Sequence, residues 1–120
     1  YQYNDLMVKG QVDIIQPDIV KTLGFTTMIK IANIAETLGG PITCHNTQPT
    51  ISTVAHAHFV AATTGVPFKQ EYNIEPVSIR DETPVLASPL NISDGYMDIP
   101  NGPGLGIELD MDAVKKLTNV

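Results

Sequence analysis

Three residues able to move a proton or stabilise charge each follow a short, largely apolar run. Asp18 follows Val12-Asp13-Ile14-Ile15-Gln16-Pro17, His45 follows Pro41-Ile42-Thr43-Cys44, and Glu71 follows Val66-Pro67-Phe68-Lys69-Gln70. Two carboxyl groups and an imidazole gathered in one place are the equipment of general acid–base catalysis. The runs read as strands, and the stretches between them as helices. In such a fold the three side chains meet at the carboxyl edge of a parallel sheet, where α/β enzymes place their chemistry.

The spacing fits this arrangement. His45 stands 27 residues after Asp18, and Glu71 stands 26 after His45. Each interval holds one strand, one helix and two short loops. From Phe25 to Leu38, Met28, Ile31, Ala32, Ala35 and Leu38 recur at helical spacing, and Gly39-Gly40-Pro41 ends the helix. A second helix is expected from Ile51 to Thr64, with Ile51, Val54, Ala55, His58, Phe59 and Ala62 on one stripe. Its stop is Gly65-Val66-Pro67, and a third strand then delivers Glu71.

Beyond Asn73 the rhythm changes. Residues 75–89 carry prolines and charges without a period and read as a connection over the surface. Ser93-Asp94-Gly95 between Leu90-Asn91-Ile92 and Tyr96-Met97-Asp98-Ile99 predicts a hairpin. Residues 105–109 read as a short strand, and Met111 to Leu117 as a final helix with Asp110 as its N-cap.

Composition bounds the function. The chain has 120 residues, 42% hydrophobic and 17% charged, with a net charge of −6. No apolar run approaches the roughly 18 residues of a membrane helix, so no membrane partner is expected. No Lys/Arg cluster offers a footprint for nucleic acid, whose phosphates demand one. The expected partner is therefore a small molecule. Cys44 is the single cysteine and cannot form an internal disulfide, which fits a reducing compartment and makes the cytoplasm the default expectation. A closed barrel of eight strand-helix units needs about 200 to 250 residues. The chain also starts at Tyr1, in a stretch (Tyr1 to Lys9) that reads as a helix tail, and is expected to be the C-terminal part of a longer polypeptide.

In order and spacing, five segments resemble the mandelate racemase and muconate lactonizing enzyme group of the enolase superfamily. They are Asp13-Ile14-Ile15-Gln16-Pro17-Asp18-Ile19, Thr43-Cys44-His45-Asn46, Ala55-His56-Ala57-His58-Phe59, Gln70-Glu71-Tyr72, and the tail from Asp94-Gly95-Tyr96 through Pro103-Gly104-Leu105-Gly106-Ile107. The resemblance implies an α/β fold that is the C-terminal portion of a (β/α)8 TIM-type barrel, strands six to eight, over residues 1–74. Residues 75–120 would form a connection, hairpin and short helix returning to a capping domain.

In the similar enzymes the residue matching His45 is the acid/base catalyst, the one matching Asp18 its partner, and the one matching Glu71 hydrogen-bonds the developing enolate oxygen. To donate that bond Glu71 must carry a proton. Asn46, beside His45, is a candidate substrate contact. The resemblance also implies Mg2+, with ligands upstream of this segment, and a small carboxylate as substrate, handled by a homo-oligomer when full length. The leading activity is sugar-acid dehydration. Racemisation, epimerisation or cycloisomerisation, or a barrel that only binds, are the alternatives.

Plainer readings stand beside these. Asp18 is equally suited to capping the turn into the next helix, His45 to a loop, and Glu71 to a solvated rim. His56 and His58, two apart on a helix, cannot chelate as a pair and read as structural, and Cys44 reads as a small buried residue. Two departures from the family are visible: Leu23-Gly24 where two glycines are common, and Cys44 where proline is common before the histidine.

Overall fold

A computed structural model describes residues 1–118. In chain order the elements are α1 (Gln2–Gly10), α2 (Phe25–Thr37), α3 (Ile51–Ala62), the single turn α4 (Ser78–Asp81), β1 (Ile92–Ser93), β2 (Tyr96–Met97) and α5 (Met111–Thr118). None of these helices is long and apolar enough to cross a membrane.

Extended segments around Ile15 and Ile42 precede α2 and α3 and lie parallel, bridged at Ile15 and Ile42. The Ile15 amide donates to the Pro41 carbonyl (3.4 Å), that of Thr43 to Ile15 (3.1 Å) and that of His45 to Pro17 (3.0 Å). A regular ladder would next ask Pro17 to donate to Thr43, and proline has no N–H. The pairing is therefore one bond short just where the site begins.

The same deletion occurs on the other side. The Ile42 amide donates to Gly65 (3.0 Å), and the return bond would have to come from Pro67. Residues 66–71, expected as a third strand, accordingly form no regular strand. In place of a ladder bond the Gln70 side-chain oxygen accepts from the Cys44 amide at 2.8 Å.

Alternation along the two paired segments divides the sheet into faces. Ile15, Pro17, Ile42 and Cys44 are buried, while Ile14 and Gln16 are exposed and Thr43 and His45 half-buried. Of these, Ile15, Ile42 and Cys44 join Met28, Ile31, Ala32 and Ala35 of α2, Ala55 and Phe59 of α3, and Met7 of α1 in one core. Phe59 is 2% exposed, a burial worth about 1.5–3 kcal/mol. The opposite face is open among the described residues.

Helix α2 ends close to the expected place: the amides of Gly39 and Gly40 fold back onto the carbonyls of Glu36 and Ala35, with Gly39 at φ 71°. Helix α3 stops at Ala62, two residues earlier than expected, because Thr63 is already extended (φ −118°, ψ 127°). Its stripe also differs from the expected one. Ile51 is 40% exposed, whereas Ser52, Thr53 and His56 are buried with Val54, Ala55 and Phe59. The first turns of α3 thus turn a polar face inward. Leu23, at one family glycine position, sits at φ 66°, where a side chain costs roughly 1–2 kcal/mol.

In the C-terminal part, Asp94 (φ 52°) and Gly95 (φ 79°) make the two-residue turn of the β1–β2 hairpin, with Ile92 opposite Met97 and Ser93 opposite Tyr96. The expected strand at 105–109 is reduced to one antiparallel bridge, Leu86 to Leu109. Asp110 caps α5, its Oδ1 accepting from the amides of Asp112 and Ala113, both at 3.0 Å. The tail docks on α3 through the bond between His58 Nε2 and the Leu105 carbonyl (3.0 Å). Helix α4 falls inside the expected connection; one turn leaves no period to read.

Candidate active site

Asp18 ends the first extended segment and is buried, its side chain 5% exposed. One oxygen does local work: Oδ1 accepts from the amides of Val20 (2.7 Å) and Lys21 (3.3 Å), fixing the turn toward α2. The other is committed elsewhere. Oδ2 lies 3.0 Å from Nδ1 of His45, whose side chain is 38% exposed. The turn-capping and pairing readings of Asp18 are therefore both realised, by different oxygens.

A carboxylate only accepts, so the His45 proton belongs on Nδ1 and the lone pair on Nε2. Among the described residues no hydrogen bond occupies Nε2. Burial pushes the Asp18 carboxyl up, but the bonds from His45 and the amides of Val20 and Lys21, with the charge of His56, outweigh it. The net effect holds Asp18 below the ordinary carboxylate range and keeps it ionised beside the ring.

Glu71 is exposed, and its Oε2 accepts from the Asn46 amide at 2.7 Å. The Asn46 side chain completes the clasp. Its Nδ2 donates to the Glu71 carbonyl (3.3 Å) and to Thr53 Oγ1 (3.1 Å), while its Oδ1 accepts from Ser52 Oγ (3.3 Å). Asn46, expected to touch substrate, is 3% exposed with both side-chain polar atoms engaged inside the protein.

The residues missed at the sequence level lie on the polar face of α3 and after Pro67. Ser52 and Thr53 brace Asn46, and Gln70 holds the Cys44 amide. Asn73 Nδ2 donates to the Thr47 carbonyl (2.8 Å), and Arg80 donates to the carbonyls of Asn73 and Glu75. These bonds tie the loop after His45 to the loop after Glu71. Cys44 is fully buried, and burial, with the Asp18 charge adding, pushes its thiol up to about 12, so it is no nucleophile.

Among the described residues no group of three His, Cys, Asp or Glu side chains converges to hold a metal ion. Asp18 has both oxygens engaged and Glu71 one, so these residues do not fit a magnesium ion. A cavity of about 510 Å³ lined by Thr50, Tyr72, Arg80, Leu86 and Asp110 contains none of Asp18, His45 and Glu71. The free edge of His45 faces the open side of the sheet instead.

Parallel segments each followed by a helix, with Asp18 and His45 paired past their carboxyl ends, define an α/β protein. The chain belongs to the enolase C-terminal domain-like family, whose model matches residues 1–113. Among its relatives, D-galactarolactone cycloisomerase of Agrobacterium fabrum is 39% identical over 111 residues, covering 88% of this chain and 29% of that protein. D-xylonate dehydratase of Haloferax volcanii is 36% identical over 110 residues, covering 92% of this chain and 26% of that protein. In structure the chain is similar to the 3,6-anhydro-D-galactonate cycloisomerase of Zobellia galactanivorans, with TM-score 0.82 and 32% identity over 95% of this chain and 31% of that one. The chain thus spans less than a third of the length of the relatives it matches.

The site makes stability depend on pH in a fixed direction. Asp18 and His56 both bind protons less readily in the folded chain than ordinarily, so the unfolded state gains protons first on acidification. Stability is expected to be fully present above about pH 6.5, to fall below it through His56, and to fall again below about pH 4 through Asp18. Denaturant midpoints of the complete polypeptide at pH 7.5, 5.5 and 4 test this, and a midpoint that rises on acidification refutes it.

Proposed function

We propose that the chain supplies the acid–base residues of a sugar-acid dehydratase that abstracts the proton next to a carboxylate. The reading rests chiefly on one observation, the 3.0 Å bond from His45 Nδ1 to Asp18 that leaves Nε2 free on the open sheet face. On this reading, Nε2 takes the proton from the α-carbon, and the electron pair of the broken C–H bond moves into the carboxylate as an enediolate. Asp18 stabilises the resulting imidazolium. Glu71, held by Asn46, donates a hydrogen bond to the enediolate through the O–H of its other oxygen when that oxygen carries a proton.

The hydroxyl on the β-carbon then leaves with a proton as water, the enediolate pair forming the new double bond. His45 returns its own proton to that hydroxyl when both lie on the same face. The enol product tautomerises to a 2-keto-3-deoxy acid. Asn46, with no side-chain atom to spare, acts by fixing Glu71.

The same reading makes residues 1–74 strands six to eight of a (β/α)8 barrel, and 75–120 the segment returning to a capping domain of a homo-oligomeric enzyme. The magnesium that family membership implies would take its ligands from other segments of the polypeptide.

The complete polypeptide, incubated with a panel of sugar acids in D2O, should release a 2-keto-3-deoxy acid with loss of one water. Absence of any turnover across the panel sinks the proposal. A second reading, cycloisomerisation through the same proton transfer, is favoured by the 39% identity to a lactone cycloisomerase. It is distinguished by a product that has lost no water.

A further inference from the structure

The histidine one helical turn into the buried polar face of α3 has no part in the proton transfer just described, yet it touches the turn that carries Asp18. His56 is 3% exposed. Its Nδ1 donates to the Ser52 carbonyl at 2.8 Å, and its Nε2 accepts from the Ile19 amide at 2.9 Å. Ile19 immediately follows Asp18 and is itself 3% exposed.

We propose that His56 is a positioning residue for the Asp18–His45 pair, locking the Asp18 turn to the helix that braces the His45 loop. The inference rests on the reading of that pair as the acid–base unit.

The three amides after Asp18 are all engaged: Ile19 by His56, Val20 and Lys21 by Asp18 Oδ1. Remove His56, and the first becomes a buried unpartnered donor. The other end of the tie is equally fixed. His56 holds Ser52, Ser52 Oγ holds Asn46 Oδ1, and the Asn46 amide holds Glu71. A continuous set of bonds, buried as far as Asn46, thus runs from the Asp18 turn through α3 to Glu71, with His45 standing beside Asn46. Loss of the His56 link frees the Asp18 carboxylate to move relative to the ring it orients.

The link works in one protonation state. Neutral His56 with its proton on Nδ1 offers Nε2 as an acceptor, whereas the imidazolium would point a second N–H at the Ile19 amide. Protonated Nε2 would turn instead to Asp18 Oδ1, now 3.9 Å away, and compete with the amides of Val20 and Lys21. The ionisable groups facing His56 are Asp18, His45 and Glu71. Burial, assisted by the charge of His45, outweighs the Ser52 bond and the charges of Asp18 and Glu71 and lowers the proton affinity of His56. The positioning bond therefore persists at neutral pH and is lost on acidification.

The test uses the complete enzyme with His56→Leu, His56→Gln and, as a reference, His45→Asn. His56→Leu should lower kcat by about 10- to 100-fold, as displaced catalytic groups do, with KM nearly unchanged. His56→Gln, which can present an oxygen to the Ile19 amide and does not titrate, should restore most of the rate and give a shallower acid limb in the kcat–pH profile. An inactive His45→Asn together with a His56→Leu that matches the parent in kcat and pH profile overturns the positioning role alone. A fully active His45→Asn overturns the acid–base reading on which it rests. Nitrogen NMR of the unsubstituted enzyme guards against a misfolded variant. A neutral His56 with its proton on Nδ1 supports the proposal, and a proton on Nε2 at neutral pH overturns it.

Discussion

His45→Asn in the complete enzyme is expected to abolish measurable turnover, with kcat falling by about 10²- to 10⁴-fold, the usual worth of a positioned acid–base group. Asparagine can place its amide N–H where Nδ1 stands and keep the bond to Asp18 Oδ2, now 3.0 Å long. It cannot supply a lone pair at the position of Nε2. The fold should therefore persist while the proton acceptor is lost. Deuterium exchange at the α-carbon should vanish with turnover, since both begin with the same C–H cleavage. A variant retaining full activity removes His45 from the mechanism.

Asp18→Asn should be nearly as damaging, for a different reason. The amides of Val20 and Lys21 need an oxygen at the Oδ1 position, so the new NH2 group must take the Oδ2 position and face His45 Nδ1. Two donors cannot share a bond. The ring escapes by moving its proton to Nε2, which makes Nδ1 the acceptor and closes the nitrogen that should take the substrate proton. A wrong tautomer together with loss of the counter-charge is expected to lower kcat by about 10³- to 10⁴-fold. The local cap survives, so unfolding at neutral pH should change little, and the stability loss assigned to Asp18 below about pH 4 should disappear. Wild-type kcat in this variant would show that the carboxylate serves only the turn.

The sites of these substitutions were legible because proton-transfer residue types recur after apolar runs at a strand–helix interval. Asp18 and His45 do meet, on parallel segments in register at Ile15 and Ile42. Helices α2 and α3 announced themselves by apolar spacing and by glycine and proline stops, and the hairpin by Asp94-Gly95.

What escaped was whatever depends on distant partners. The buried role of Ser52, Thr53 and His56 follows from Asn46 and Ile19 lying against α3, and periodicity read within one helix carries no information about its neighbour. The failure of residues 66–71 to form a strand was only half visible. Pro67 removes one donor, and its effect becomes evident only once Gly65 is known to accept from Ile42.

The two prolines have a further consequence. Backbone ladders are indifferent to side-chain identity, so a site held together by them changes only when the sheet changes. Here Pro17 and Pro67 each remove one ladder bond beside Asp18 and Glu71, and beyond the bond from the His45 amide to Pro17 the contacts pass to Gln70, Asn46 and His56. Each of those is a single codon. The placement of Asp18 and Glu71 can be retuned by point mutation while the apolar layer of Ile15, Ile42 and Phe59 stays untouched, so the architecture is inherited separately from the geometry of its edge.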